Sequence, residues 1–174
     1  LDLAAAPGGK SLVMRSLGAR VVSNDISIAR LRPLIGKSGA IVVSDGRHAP
    51  FARRFRVVLL DAPCSATGTI RKNPELKWRL READLPAFAS LQRELLQSAL
   101  DLASETVIYS TCSLEREEND AVVDYVLRER DDFIRADIAE LVNENVGRWV
   151  EDGVLRLTPE AGTDGFTAFR LSRT

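Results

Sequence analysis

Short β-rich segments alternate along the chain with segments of helical periodicity, and this alternation limits the possible folds more than any other feature. The run Val57-Val58-Leu59-Leu60 is continuously apolar, as is typical of a parallel strand covered on both faces. Strands are expected at about residues 1–4, 20–25, 40–44, 55–60 and 105–110. Helices are expected at about residues 10–17, 27–37, 84–103 and 115–130.

Two of the expected helices carry clear local patterns. Between residues 84 and 103, one apolar stripe recurs at three- and four-residue steps and contains Leu85, Phe88, Leu91, Leu95, Ala99 and Leu102. For the helix at 115–130, Ser113 is the expected N-cap, with Glu115 and Glu117 in the first turn.

The pattern changes after residue 130, where strand signals follow one another. Signals near 147–158 and 166–172 predict an antiparallel hairpin at the edge of the sheet. The strand–helix alternation before them predicts parallel strands joined by right-handed crossovers. The sequence therefore predicts an α/β fold, doubly wound, with a mostly parallel sheet and an antiparallel edge hairpin.

Composition narrows the class of protein. The 174 residues suit one domain with its own core, and we expect a single domain over residues 1–174. Two cysteines and the single His48 exclude a disulfide scaffold and a His-rich metal site, so no metal is expected. No apolar run approaches the roughly 20 residues of a membrane helix, and no leader is evident. We expect a cytoplasmic monomer without a membrane partner. Because Leu1 already belongs to a strand pattern, we also expect the chain to be a piece of a longer protein.

Charge is unevenly distributed along a chain whose net charge is −1. Between Gly46 and Arg81 there are nine basic residues and two acidic ones, which gives +7 locally. This run surrounds the loops after two strands, where open α/β sheets bind their ligands. It indicates either an anionic partner or a solvated charged face.

The first loop, Ala4-Ala5-Ala6-Pro7-Gly8-Gly9-Lys10, lies between the first strand and the first helix. Small residues let the backbone approach a ligand, and the helix N-terminus offers free N–H groups. The segment Gly9-Lys10-Ser11 matches the second half of a phosphate loop. Pro7, however, removes an N–H that a phosphate cradle needs, and Ala4 stands where its first glycine would be. A ligand site for a phosphate-free nucleoside is favoured, and a simple tight turn is the alternative.

Three carboxylates end successive strands and therefore lie along one edge of the predicted sheet. Asp25 is placed to accept from the ribose hydroxyls of an adenosine ligand such as S-adenosylmethionine. Asp45 could accept from the adenine amine, and Asp61 could face the cationic methionine end. Any one of them could be a surface turn residue.

Both cysteines follow neighbouring strands, in Asp61-Ala62-Pro63-Cys64 and in Ser110-Thr111-Cys112-Ser113. Since neighbouring strands lie about 4.8 Å apart, both thiols are expected to face one pocket. Inert buried thiols and a redox pair are the alternatives, while a zinc site lacks ligands. Cys112 is the better nucleophile because it immediately precedes the expected helix, whose N-terminus would lower the pKa of its thiol.

Together these motifs resemble the RsmB/Sun/nucleolar-protein family of RNA (cytosine-5) methyltransferases. The resemblance rests on the first loop, the three aspartates, Asp61-Ala62-Pro63-Cys64-Ser65-Ala66-Thr67-Gly68, Ser110-Thr111-Cys112-Ser113 and Asp164-Gly165-Phe166. It implies a Rossmann-like fold, S-adenosylmethionine as cofactor and RNA as substrate. Ribosomal RNA is the favoured substrate, and transfer RNA is the alternative. It also implies that the chain is a catalytic domain without the N-terminal extension and RNA-recruiting domain of family members.

The same resemblance implies roles for individual residues. Cys112 would attack C6 of a flipped cytosine, and Cys64 would assist removal of the C5 proton and release of the adduct. Asp61 would bond the N3/N4 edge of the base, and Lys10 would help to place cofactor and base. The cofactor would lie against Ala4, Ala5, Ala6, Pro7, Gly8, Gly9, Lys10, Asp25, Asp45 and Asp61. The alternatives are a non-catalytic RNA-binding assembly factor with this fold and a phosphate-loop NTPase.

Overall fold

One mixed sheet runs through the protein in the computed structural model, which describes residues 1–37 and 39–174. Its strands are β1 (Val22–Asp25), β2 (Ala40–Val43), β3 (Phe55–Asp61), β4 (Ala103–Thr111), β5 (Phe133–Ala136), β6 (Val150–Glu151), β7 (Val154–Leu157) and β8 (Phe166–Arg173). The helices are α1 (Gly9–Ser16), α2 (Ile28–Leu31), α3 (Leu76–Arg79), α4 (Leu85–Leu102), α5 (Asp120–Leu127) and α6 (Glu144–Gly147).

The N-terminal segment joins the two parallel halves of the sheet. Asp2 donates its N–H to Val22, and Leu3 donates to Leu59, at 2.9 Å each, so residues 1–3 lie between β1 and β3. The resulting order is β2, β1, residues 1–3, β3 and β4, all parallel, followed by antiparallel β8. The far side of β8 pairs with β5 and, further along, with β7, which forms a hairpin with β6.

The core lies between the central strands and the helices α4 and α5. α4 contacts β3, β4 and α5, and the fully buried side chains at their junction are Val58, Leu60, Leu96, Leu100, Val107 and Tyr109. A smaller cluster of Ala5, Leu31 and Leu34 packs beneath the first loop. This packing fixes the carboxyl ends of β1, β3 and β4 relative to one another.

The predicted α/β fold with a mostly parallel sheet and an antiparallel edge hairpin is confirmed, with local corrections. The helix expected at 27–37 is only α2, followed by a 3₁₀ turn over Arg32–Leu34. Pro33 has no N–H to continue the helical ladder, so the α-helix ends before it. Sequence patterns missed β5, whose four residues are flanked by charged segments.

The helix expected at 115–130 also begins later than predicted. A 3₁₀ turn covers Arg116–Glu118, and α5 starts at Asp120 with Asn119 in the N-cap position. Ser113 is therefore not the N-cap of this helix. Its Oγ instead accepts a hydrogen bond of 3.0 Å from the backbone N–H of Glu115, which orders the loop between β4 and the turn.

Candidate active site

A cleft of about 550 Å³ opens at the carboxyl ends of the parallel strands. Its lining includes Asp25, Asp45, Asp61, Cys64 and Cys112. The predicted convergence of the three aspartates and two cysteines on one edge of the sheet is therefore present in the fold. No helix in the described ranges is long and apolar enough to cross a membrane.

The first loop is held against the end of β1 by Asp25. The carboxylate Oδ2 of Asp25 accepts from the N–H of Ala6 at 3.1 Å, and Oδ1 accepts from the N–H of Ser27 at 3.0 Å. Gly8 has φ +111°, and a Cβ there would lie 2.3 Å from the side chain of buried Leu34. Gly8 is thus required for packing, whereas space beside Gly9 is open. Ala4, Ala5, Ala6, Pro7, Gly9 and Lys10 form the wall of a further recess beside Asp61.

Asp45 lies in the cleft but is already engaged by a neighbour. It caps the 3₁₀ turn Gly46–His48 by accepting from the N–H of Arg47 at 2.9 Å, and it pairs with the Arg47 guanidinium at 2.7 Å. These hydrogen bonds lower the pKa of Asp45 to about 2. Asp45 is therefore an ionised acceptor at neutral pH, and Arg47 fixes its orientation.

Asp61 bridges the first helix and the end of β4. Its Oδ2 lies 2.5 Å from Nζ of Lys10, and its Oδ1 accepts from Oγ of Ser110 at 2.9 Å. Nζ of Lys10 also lies 5.6 Å from the centre of the Phe166 ring. The catalytic candidates Lys10 and Asp61 are thus brought together, and Ser110 and Phe166 join them.

The two cysteine sulfur atoms are in direct contact. Sγ of Cys64 lies 3.1 Å from Sγ of Cys112, and both side chains are half-buried free thiols. The hydrogen bond between the sulfurs, with burial second, raises the pKa of Cys64 far above that of a free thiol. The same bond lowers the pKa of Cys112 against the opposing effect of burial. The contact therefore favours ionisation of Cys112 over ionisation of Cys64.

The reason expected for the reactivity of Cys112 is wrong, although the choice of residue agrees with the electrostatics. No α-helix begins beside it, because α5 starts only at Asp120. The pKa of Cys112 is lowered chiefly by the contact with Cys64; the charge of Lys10 contributes less, and the charge of Asp61 opposes it. Sequence reasoning could not supply this cause, since it depends on contact between side chains 48 positions apart.

Backbone contacts join the loop that carries Cys64 to the segment before β8. The N–H of Gly68 donates to the carbonyl of Cys112 at 3.0 Å, and the N–H of Gly165 donates to the carbonyl of Gly68 at 2.7 Å. A Cβ on Gly68 would lie 2.7 Å from the Gly165 carbonyl, so this approach needs glycine. Asp164 completes the junction through ion pairs with Lys72 at 2.6 Å and Arg71 at 3.4 Å.

The basic segment expected to meet an anionic partner lies beside this site. Three of its nine basic side chains form ion pairs, Arg47 with Asp45 and Glu94, and Arg71 and Lys72 with Asp164. Within the described ranges, no salt bridge is formed by Arg53, Arg54, Arg56, Lys77, Arg79 or Arg81. On α3, the side chain of Trp78 is 88% exposed between two of these cations. A second cavity of about 630 Å³ runs from Cys64 to Arg79 along α4.

Carboxylate and thiol side chains line the cleft in the part of the chain that the structure describes. No group of three or more His, Cys, Asp or Glu side chains there could hold a metal ion. The site offers instead two thiols, a lysine–aspartate pair and two further carboxylates in a cleft with apolar walls.

Comparison with known proteins gives matches over nearly the whole chain. The family model described as 16S rRNA methyltransferase RsmB/F matches residues 1–172. A 28S rRNA (cytosine(4447)-C(5))-methyltransferase from Homo sapiens is 37% identical over 190 residues, covering 99% of this chain and 21% of that protein. A ribosomal RNA small subunit methyltransferase B from Photorhabdus laumondii is 33% identical over 187 residues, covering 99% of this chain and 42% of that protein. The chain thus spans less than half the length of these relatives.

Solved structures share the same architecture. The crystal structure of PH0851 is 34% identical with a TM-score of 0.87, over 98% of this chain and 41% of that one. A methyltransferase homolog protein from Pyrococcus horikoshii is 28% identical with a TM-score of 0.73, over 99% of this chain and 60% of that one. A magnesium protoporphyrin IX methyltransferase from Synechocystis, 12% identical with a TM-score of 0.58, shares the fold.

Proposed function

The chain belongs to the 16S rRNA methyltransferase RsmB/F family, and we propose that residues 1–174 are the catalytic domain of an S-adenosylmethionine-dependent RNA (cytosine-5) methyltransferase. The observation that carries the proposal is the contact of 3.1 Å between the sulfur atoms of Cys64 and Cys112 inside the cleft. Relatives named as ribosomal RNA methyltransferases favour ribosomal RNA as substrate over transfer RNA.

The cleft fits S-adenosylmethionine in size and in chemistry. Ligand sites of a few hundred cubic ångströms are mostly apolar with a few placed polar groups, and this cleft of about 550 Å³ follows that pattern. Asp25 would accept a hydrogen bond from the ribose, and Asp45 would accept one from the adenine. Ile26, which lines the same cleft and is 65% exposed, offers an apolar surface. The residues from Ala4 to Lys10 bring backbone and a helix N-terminus to the other side of Asp61. When bound, S-adenosylmethionine supplies an electrophilic methyl group.

The chemistry assigned to Cys112 follows from the weak nucleophilicity of cytosine C5. Addition of the Cys112 thiolate to C6 forms a carbon–sulfur bond and moves electron density to C5, which can then take a methyl group. A thiol whose pKa is lowered by contact with Cys64 is suited to this addition, because more of it is thiolate at a given pH. Asp61 and Lys10, paired at 2.5 Å, would contact the polar edge of the base.

Cys64 is assigned to the second half of the reaction. Its pKa is raised chiefly by the bond to the Cys112 sulfur. Once that sulfur is bonded to carbon, it no longer carries the charge that keeps Cys64 protonated. Cys64 can then lose its own proton to water and, as a thiolate, accept the C5 proton. The electrons of the C5–H bond re-form the ring double bond as the carbon–sulfur bond breaks and returns Cys112 as a thiolate.

The basic surface supports RNA as the partner. Unpaired cations beside a cleft attract the phosphate backbone, and an exposed aromatic side chain among them suits stacking on a base. Trp78 lies between Lys77 and Arg79 on α3, and Arg79 also lines the cavity that begins at Cys64. Two free thiols in contact also favour a reducing compartment, so the cytoplasm is the expected location, which cell fractionation would test. A monomer is also expected, which gel filtration would test.

Labelled methyl transfer tests the proposal. The intact protein is incubated with methyl-labelled S-adenosylmethionine and either ribosomal or transfer RNA, and the RNA is digested to nucleosides. We expect label in 5-methylcytidine from ribosomal RNA. Label in another nucleoside, or none from either RNA, contradicts the activity, and label from transfer RNA alone contradicts only the substrate.

A further inference from the structure

A fully buried glutamate reaches the loop that carries Cys64. Glu118, in the 3₁₀ turn before α5, has no solvent-exposed surface. Its Oε2 accepts from the N–H of Ser65 at 2.9 Å and from Nε2 of Gln92 at 2.8 Å, and its Oε1 accepts from Oγ of Ser65. The same Gln92 amide donates to the carbonyl of Pro63 at 2.9 Å. The residues on both sides of Cys64 are thus held by one carboxyl group and its partner.

The next residue along the chain holds the other cysteine in the same way. Oδ1 of Asn119 accepts from Oγ1 of Thr111 at 2.7 Å, and its Nδ2 donates to the carbonyl of Ser113 at 3.0 Å. Thr111 and Ser113 flank Cys112. Since Glu118 and Asn119 are consecutive, a single peptide unit links the supports of the two cysteines.

We propose that Glu118 is a positioning residue that holds Cys64 in contact with Cys112, while the neighbouring Asn119 holds Cys112. The step assigned to Cys64 therefore depends on Glu118, and the addition assigned to Cys112 depends on it less. Both of these consequences for the reaction rest on the proposed function, but the positioning of Cys64 by Glu118 does not. Neither residue touches the cleft, since neither lines it.

Loss of the carboxyl group has a defined physical effect. Glu118→Ala leaves the buried N–H of Ser65 without its acceptor and the Gln92 amide with the Pro63 carbonyl alone. A buried unpaired donor is costly enough to shift a loop. Glu118→Gln keeps an amide oxygen in reach of both donors and is the conservative rescue. Glu117 is the exposed neighbour in the same turn, and Glu117→Ala is the matched control.

The first measurement needs no RNA and reports the separation of the two sulfurs. Diamide, an azo oxidant, takes two electrons and two protons from the thiols and leaves a Cys64–Cys112 disulfide. Since a disulfide needs the sulfurs to approach to about 2.05 Å, its rate depends on how the two thiols are held. In the intact protein we expect Glu118→Ala to slow this reaction about tenfold, Glu118→Gln to restore most of the rate, and Glu117→Ala to leave it unchanged.

The second measurement uses RNA and the cofactor and counts covalent protein–RNA complex on denaturing gels. Glu118→Ala is expected to accumulate the complex, because Cys112 still adds while release is impaired.

If a folded Glu118→Ala variant forms disulfide and releases RNA as the unchanged protein does, the positioning role is wrong. If Glu118→Ala does not fold, Ser65→Ala, which removes the hydroxyl donor alone, must slow the disulfide reaction, and an unchanged rate overturns the proposal. A slower disulfide reaction in a protein that never methylates RNA would leave the positioning intact and contradict the proposed function.

Discussion

Sγ of Cys64 and Sγ of Cys112 lie 3.1 Å apart, at the ends of the neighbouring parallel strands β3 and β4. The contact makes each thiol the main influence on the other, lowering the pKa of Cys112 and raising that of Cys64. Because the contact favours ionisation of Cys112 and opposes ionisation of Cys64, the pair can divide bond formation and release between its members.

The pH dependence of Cys112 reactivity should depend on Cys64. Only the thiolate reacts with iodoacetamide, so the alkylation rate of Cys112 rises as pH passes through its pKa. Cys64→Ala removes the donor that lowers this pKa, and the midpoint of the profile should therefore move to higher pH. Mass spectrometry of the Cys112 peptide after timed alkylation measures it. A midpoint that stays in place, or moves to lower pH, would show that another group stabilises the thiolate.

Trp78 should contribute to RNA affinity by stacking rather than by charge. Trp78→Ala is expected to weaken binding about tenfold with an unchanged slope of log affinity against log salt, because stacking releases no counterions. Lys77 is the neighbour of Trp78 on α3, and Lys77→Ala is expected to make that slope shallower by about one, because one phosphate contact is lost. Filter binding over a range of salt concentrations separates the two effects.

Fluorescence provides an independent check on Trp78. The other tryptophan, Trp149, is partly buried in a cluster beside β6 and β7. In a Trp149→Phe protein, RNA should quench the emission of Trp78, because a stacked base quenches the indole. Unquenched emission at saturating RNA would contradict the stacking role and leave the methyltransferase proposal standing.

Two adjacent glycines of the first loop should differ sharply in their tolerance of a side chain. Gly8→Ala places a Cβ 2.3 Å from Leu34 on backbone with φ +111°, and should cost about 2–4 kcal/mol of unfolding free energy. Gly9→Ala meets no atom within 4 Å at the start of α1 and should be neutral or slightly stabilising. Urea unfolding of both variants measures the difference, and equal stability would contradict the packing described for Leu34.

Much of this site is predictable from sequence because parallel strands bring their ends to one edge. Cys64, Cys112 and Asp61 follow strands that are recognisable from their apolar runs, so their convergence needs no knowledge of packing. The buried position of Glu118 was not predictable, because a glutamate within a run of acidic residues is usually exposed at the surface. Its role depends on Ser65, 53 positions away.

The missed elements have similar physical causes. β5 has four residues, of which Phe133 alone is buried, so its pairing with β8 leaves little trace in the sequence. The delayed start of α5 is set by Asn119, whose side chain is occupied with Ser113 and Glu115 of the preceding loop. The supposed N-cap Ser113 also belongs to this tertiary arrangement, because its Oγ contacts Ser65 at 3.2 Å.

The division of labour between the two thiols is tested most directly by trapping. The intact protein and its Cys64→Ala and Cys112→Ala variants are incubated with RNA and S-adenosylmethionine, then separated on denaturing gels that display covalent protein–RNA complexes. The account predicts a persistent complex for Cys64→Ala and neither complex nor methylation for Cys112→Ala. A complex that persists in Cys112→Ala and is absent from Cys64→Ala would contradict it.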